Sequence, residues 1–319
     1  MLVIKRLNSY GFRHPGAVAA LGVFDGLHLG HQAIIRRLVA RAKRAGHDSV
    51  VITFDPHPRQ VLLGKGGPFL LTTLEEKLDL LEQMGVGAVA VVRFSPRVAA
   101  LSPQEFIRRV LVEKLAASEV ICGPDFRFGA GRQGGREALE EAGRRLGFRV
   151  SVPPLLNIGG LKVGSSKIRE LLAAGKLERA NRLLGRDYSV RGRVVRGLGL
   201  GRKLGFPTAN LKADDPRKLL PRDGVYAASL AADGRRLPGV AFVGRRLTLG
   251  RPGRTVEFHA FGGERRLSGK RAEMFFHHFM RPARKFSGLE ELTRAIAKDR
   301  AFVLQYFINI KMLKKDLTL

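Results

Sequence analysis

A chain of 319 residues, 45% hydrophobic and 27% charged, has room for two ordinary domains and the composition of a soluble globular protein. No apolar run approaches the roughly 20 residues that cross a bilayer, "MLVIKRLNSYGF" lacks the pattern of a signal peptide, and Cys122 stands alone, which excludes an intrachain disulfide. These features predict a cytoplasmic protein with no membrane partner, and Cys122 as a small buried hydrophobe.

The net charge of +29 raises nucleic acid as a partner, because phosphate neutralisation supplies most non-specific affinity. The Lys and Arg residues are spread along the chain, without zinc-finger spacing, an RNP-type aromatic motif or a basic tail. Nucleic acid is therefore not expected as the primary partner. Nothing in the sequence speaks to oligomeric state.

In chain order, "AVAALGVF" predicts a buried strand ending at Phe24. The helix "HQAIIRRLVARAKRAG" follows, with Ile34, Ile35, Leu38 and Ala42 at helical spacing. "DSVVITF" is the next strand, and "TTLEEKLDLLEQMG" a helix opened by threonine and closed by Gly85. Then come the strand "AVAVVRF", the helix "SPQEFIRRVLVEKL", the strand "ASEVICG", the helix "GGREALEEAGRRLG" and the strand "FRVSVPPL". Such alternation predicts an α/β fold with a parallel sheet covered on both faces. Beyond about Gly185 the texture changes to short β-like runs between Gly and charged turns, which predicts an antiparallel sheet or small barrel. "GLEELTRAIAKDRAFVLQYFI" predicts a terminal helix. The change sets a boundary in "GRDYS", giving domains 1–184 and 185–319.

The stretch "LGVFDGLHLGHQ" puts His28 just past a strand end and His31 in the first turn of a helix. Ligands of doubly wound sheets bind at such strand ends, and helix N-termini attract anions. Gly26 and Gly30 leave room for a phosphate to approach the backbone. Two rival readings stay open: a metal site with Asp25 as third ligand, and plain packing of two imidazoles.

"GVFDGLHLGHQ" resembles the H-x-G-H signature of nucleotidylyltransferases. Taken with "VITFDPHPRQVL", "LTTLEEKLDLLEQMGV", "GPDFRFGAGRQGG", "GSSKIRELLAAGKLERANRLLGRDYSVRGRVV", "GRKLGFPTANL" and "DGVYAA", the chain is similar to bacterial bifunctional riboflavin kinase/FAD synthetases. The resemblance implies a Rossmann-like adenylyltransferase domain that joins the AMP of ATP to FMN. It also implies a small antiparallel riboflavin-kinase barrel with a terminal helix. ATP and Mg²⁺ would be required, with riboflavin, FMN and FAD as substrates and products.

Carried onto this chain, the resemblance makes His28 and His31 catalytic in adenylylation. Gly22, Phe24, Gly30, His57, Ser165, Ser166 and Arg169 would hold nucleotide phosphates. Ser165 and Ser166 open another helix, so capping is their other reading. Asp125, Phe126 and Phe128 would meet the flavin, although the two rings would equally suit a core. In the second half, Gly201 would belong to a phosphate-cradling loop with Gly197, Gly199 and Gly205, and Thr208 and Asn210 would hold Mg²⁺ and phosphate. Glu257 matches the family's catalytic glutamate and by alternation shares a sheet face with Thr255 and His259. Arg281 would meet flavin or nucleotide.

The kinase half also departs from the family. An Asn-Ile-Gly-Thr-like segment is replaced by "AFVGRRLTLG", with Phe242 at the Asn position, and an Arg-Pro-Glu segment ends here in Ala283. One alternative is therefore an adenylyltransferase with a weakened or repurposed kinase domain. Another, from a different class, is a basic nucleic-acid-binding protein on the same scaffold.

Overall fold

The strands of the first half are short, apolar and parallel. In the computed structural model, which describes residues 1–5, 16–64, 68–196, 201, 204–245, 254–261 and 267–316, the chain divides into two units, Met1–Ser165 and Ser166–Leu319. The first unit holds β1 (Leu2–Ile4), β2 (Ala17–Leu21), β3 (Asp48–Asp55), β4 (Ala88–Arg93), β5 (Ala117–Cys122) and β6 (Arg149–Ser151) in one sheet of order β1-β4-β3-β2-β5-β6. Every neighbouring pair is parallel.

Alternate residues of each strand feed two cores. Ala19, Leu21, Val50, Ile52 and Cys122 face one cluster, while Val18, Ala20, Val51, Val89 and Ile121 face the other. On the second face lie α1 (Leu29–Ala45), burying the predicted Ile34, Ile35, Leu38 and Ala42, and α3 (Leu74–Gln83), capped reciprocally by Thr73 and Glu76. A short α2 (Pro58–Leu63) precedes α3. α6 (Arg136–Leu146) covers the first face through Leu139.

Several expectations needed correction. The first strand stops at Leu21, because the backbone turns into the left-handed region at Phe24. The helix expected over 102–115 is a short α5 (Pro103–Phe106) running into a π-helical stretch, Ile107–Val112. Phe106, Ile107, Val110 and Leu111 are all buried along it. The last strand is cut to β6, since Pro153 and Pro154 follow and cannot donate to a ladder. Edge strand β1, α2, α4 (Pro96–Ala99) and the hairpin β7 (Asn157–Ile158) and β8 (Leu161–Lys162) were not anticipated.

The second unit contains most of α7 (Ser165–Ala173), then α8 (Leu177–Leu184) and a closed antiparallel barrel. Its strands are β9 (Tyr188–Val195), β10 (Ala209–Ala213), β11 (Gly224–Ala232), β12 (Arg235–Gly244), β13 (Thr255–Ala260) and β14 (Arg271–Pro282), in the closed order β10-β13-β12-β11-β14-β9. Val190, Val194, Leu211, Ala241, Val243, Val256, Phe258, Met274 and Phe276 alternate inward and are buried. β14 carries two extra residues against β11, His277 and Met280. α9 (Leu289–Asp316) is the predicted terminal helix, and its Phe307 meets His277 and Phe261 edge-on. Among the described residues no helix is long and apolar enough to cross a membrane.

Candidate functional sites in the two units

From β2 the chain steps to β3 and β4 on one side, then returns to β5 and β6 on the other. The strand order therefore reverses between β2 and β5, and ligands of open α/β sheets bind outside the carboxyl ends at such a reversal. Loop 22–28 leaves the end of β2, His57 follows the end of β3, and Asp125–Phe128 follow the end of β5. Three of the predicted segments thus emerge on one edge of the sheet.

Loop 22–28 is strained and strongly held. Phe24, Gly26 and Leu27 have φ of 53°, 83° and 37°. Each non-glycine residue there costs about 1–3 kcal/mol, offset by burying the Phe24 and Leu27 side chains, at about 1.5–3 kcal/mol each. The Val23 carbonyl accepts from Thr53 Oγ1 at 2.9 Å and Lys77 Nζ at 2.8 Å, and Lys77 also donates to Thr53 Oγ1 at 3.2 Å. The Asp25 carboxylate accepts from the backbone N–H groups of Leu71 and Thr72, both at 3.0 Å. Ser165 Oγ donates to the Asp25 carbonyl at 2.8 Å. The metal alternative needed Asp25 as a ligand; its carboxylate is instead turned onto the 71–72 backbone.

This scaffold presents His28 as the N-cap of α1. Its Nδ1 accepts from the His31 backbone N–H at 3.2 Å, so a neutral ring carries its proton on Nε2. The His28 and His31 rings stack at 3.6 Å and 17°, with Phe24 edge-on to His31 at 5.2 Å. A Cβ on Gly30 would lie 3.3 Å from the His28 ring, and one on Gly22 would lie 3.0 Å from the Phe24 ring. α1 has no acidic residue in its first turn, whereas Lys43 and Arg44 sit in its last. The positive end of its dipole is undiminished where an anion would arrive.

Elsewhere on this edge the predicted residues take different roles. His57 caps α2, its Nδ1 accepting from the Arg59 N–H at 3.0 Å. Asp125 is exposed and pairs with Lys162 at 2.6 Å. Phe126 stacks on Phe128 at 5.7 Å, but Phe128 is only 7% exposed and packs near Phe106. Phe128 lies in the core, and the partly buried Phe126 packs against the same core cluster. The Ser165 hydroxyl is directed to Asp25, so it tethers the loop; Ser166 and Arg169 follow it along α7. Burial pushes the Cys122 thiol up to about 11, consistent with an inert core cysteine.

Lys77 was missed. Burial lowers its pKa, opposed by the Asp25 and Asp55 carboxylates. The available signal was a lysine one turn from Leu81 on the buried stripe of α3.

In the second unit, register builds the site. Glu257 lies directly opposite Asn210 on β10 and Phe242 on β12. The row continues through Val225 on β11 to Arg281 on β14. Val256 and Phe258 point into the barrel, so Thr255, Glu257 and His259 share the outer face, as expected. Thr255 Oγ1 donates to Glu257 Oε1 at 3.4 Å, and His259 Nδ1 meets the Pro207 carbonyl at 3.0 Å. The Phe206 N–H donates to the Gly201 carbonyl at 2.7 Å, and a Cβ on Gly201 would fall 2.3 Å from the Phe206 oxygen and 3.1 Å from Thr208 Oγ1. Gly201 is thus needed where the loop closes beside Thr208. Thr208 is exposed and Asn210 buried.

Arg281 reaches the row, but its guanidinium grips the buried Asp299 of α9 bidentately, at 2.9 and 2.6 Å. It anchors the terminal helix rather than presenting a free fork. Gly197, Gly199 and the stretches 246–253 and 262–266 lie outside the described residues.

The FAD synthetase family matches residues 12–167, and the riboflavin kinase family matches residues 184–307. A bifunctional riboflavin kinase/FMN adenylyltransferase of Pseudomonas fluorescens is 37% identical over 302 residues, 94% of this chain and 96% of its own. The Escherichia coli K12 protein of the same description is 36% identical, covering 92% and 93%. The Listeria monocytogenes protein is 35% identical with the same coverage. A Streptococcus pneumoniae crystal structure described as a macrolide-efflux protein matches with a TM-score of 0.82 and 27% identity, over 93% of this chain and 96% of that one.

Proposed function

The chain belongs to the family of bifunctional riboflavin kinases/FMN adenylyltransferases, and on that premise we propose how its residues share the two reactions. It is a riboflavin kinase that makes FMN and an FMN adenylyltransferase that makes FAD. We assign residues 1–184 to adenylylation and 185–319 to the kinase, a division supported by the kinase match starting at residue 184. Cytoplasmic location is part of the proposal, in keeping with a lone, buried thiol.

In adenylylation an FMN phosphate oxygen attacks the α-phosphorus of ATP, the α–β bridging bond breaks, and pyrophosphate leaves. The transferred group needs positioning and charge stabilisation more than covalent help. His28 supplies an Nε2–H donor beside the first N–H groups of α1, and the stacked His31 ring holds His28 in place. Gly30 keeps a side chain away from the His28 ring and Gly22 away from the Phe24 ring, and Phe24 meets His31 edge-on. Ser166, Arg169 and His57 add phosphate contacts, while Ser165 holds the loop. Asp125, Phe126 and Phe128 meet the flavin, with Phe128 backing the site from the core.

In the kinase reaction the primary hydroxyl of riboflavin attacks the γ-phosphorus, Glu257 takes its proton, and ADP leaves. The Thr208 hydroxyl and the Asn210 amide oxygen are hard oxygen donors of the kind Mg²⁺ prefers, so the residues fit that ion. When bound, Mg²⁺ would neutralise charge on the phosphates. Gly201 keeps the loop tight against Thr208. A weakened kinase is the second reading, favoured by Phe242 standing in register beside Glu257.

The observation that carries the first activity is His28, whose cap geometry fixes its donor at the strand-order reversal. The test is to incubate the protein with riboflavin, ATP and Mg²⁺, separate the flavins, and repeat from FMN. FAD from both starts is expected. FAD from FMN alone would establish the weakened-kinase reading, and turnover of neither would overturn the account.

A further inference from the structure

Antiparallel strands rarely set like charges directly opposite one another, because the side chains of such pairs are close and repel. On the outer face of the barrel three cations do so in succession. Lys212 on β10 lies opposite Arg193 on β9, which lies opposite Arg271 on β14. All three are exposed.

The neighbouring rows on this face differ in charge. On one side Arg191 lies opposite Glu273, pairing with it at 2.9 Å, and Asp214 donates its N–H to the Arg191 carbonyl. That row carries two carboxylates and one arginine. On the other side, two residues along β10 and about 7 Å away, is Asn210, which faces Glu257. The nearby Asp233 is taken by Lys270. Two carboxylates, Asp214 and Glu273, therefore lie in the row on the far side from Asn210, and Glu257 lies in the Asn210 row itself. Arg193 is steadied by donating to the Gly269 carbonyl at 2.7 Å. Gly192 lets β9 and β10 approach closely, since a Cβ there would fall 2.1 Å from the Lys212 carbonyl oxygen.

We propose that Lys212, Arg193 and Arg271 form an anion subsite that draws the triphosphate of the nucleotide toward Asn210 in the kinase half. The inference rests on the kinase reading of Asn210 and Glu257. The ligand class is an inorganic or nucleoside polyphosphate, whose charge matches the row and whose length suits the spacing between row and Asn210. Fields of this kind raise local ligand concentration and on-rate by roughly 10-fold or more at low salt and fade as salt rises.

The test replaces all three with glutamine (R193Q, K212Q and R271Q together) and measures KM for ATP and kcat in riboflavin phosphorylation at low and high salt. KM for ATP is expected to rise about tenfold at low salt, with kcat unchanged and the salt dependence largely lost. Adenylylation starting from FMN should not move, and the single variants should each give part of the shift. An unaltered KM with wild-type salt dependence overturns the proposal, as does a loss confined to kcat. Equally fatal is a steeply salt-dependent RNA affinity that the triple variant loses while KM for ATP stays put. If the wild-type chain leaves riboflavin unphosphorylated, the kinase reading falls separately. The row is then judged by direct binding of inorganic tripolyphosphate, where equal affinity of wild-type and triple variant overturns it.

Discussion

The loop that carries His28 and the barrel row that carries Glu257 reach defined geometry by opposite means. The loop lies in left-handed backbone that only a web of long-range partners sustains: Thr53, Leu71, Thr72, Lys77 and Ser165 all bind its backbone or Asp25. Glu257 needs no such web, because the ladder itself sets it between Asn210 and Phe242. A site on strained loop is sensitive to distant substitutions, whereas a site on a sheet is sensitive mainly to its cross-strand neighbours.

The sharpest way to break this contrast is Glu257→Gln, which should lower riboflavin phosphorylation at least about 100-fold while leaving FMN adenylylation and the unfolding midpoint unchanged. Lys77→Met comes next. It removes the buried amine that donates to the Val23 carbonyl and Thr53 Oγ1 and should cost about 3 kcal/mol of stability, read by urea unfolding and by adenylylation failing at a lower temperature. Gly30→Ala is subtler, since its methyl would sit 3.3 Å from the His28 ring. A drop of about tenfold in adenylylation is expected, with stability held or slightly raised because alanine favours the helix.

The smallest effect concerns the barrel and pH. Burial raises the Asp187 pKa, but hydrogen bonds from His277 and Arg236, with their charges, outweigh it and hold the carboxyl below its ordinary value. A depressed carboxyl stabilises the fold above the unfolded value of about 3.9 and loses that contribution as pH falls through the lower folded value. Asp187→Asn should therefore flatten the acid limb of the stability profile, measured by thermal melts from neutral pH downward.

What could be read beforehand followed the range of each interaction. His28, Gly30 and His31 sit within one turn, so their association was legible from spacing. The strand–helix alternation likewise gave the parallel sheet, and the Gly-rich texture gave the barrel. Lys77 was hidden because its partners lie at Val23 and Thr53, far away in the chain. Phe128 was ambiguous until its packing near Phe106 put it in the core. Arg281 looked like a ligand contact because its partner, Asp299, lies on another element. The neighbours of Glu257, and the row of Lys212, Arg193 and Arg271, depend on strand register, which alternation alone does not specify.

The most direct test of two separately built sites is a mixing experiment on His28→Ala and Glu257→Gln, with flavins resolved chromatographically after incubation with riboflavin, ATP and Mg²⁺. Alone, His28→Ala should stop at FMN and Glu257→Gln should leave riboflavin unchanged, yet make FAD when supplied with FMN. Mixed, the two should convert riboflavin to FAD through released FMN. Loss of both reactions in either variant, or no FAD from the mixture, would contradict the account.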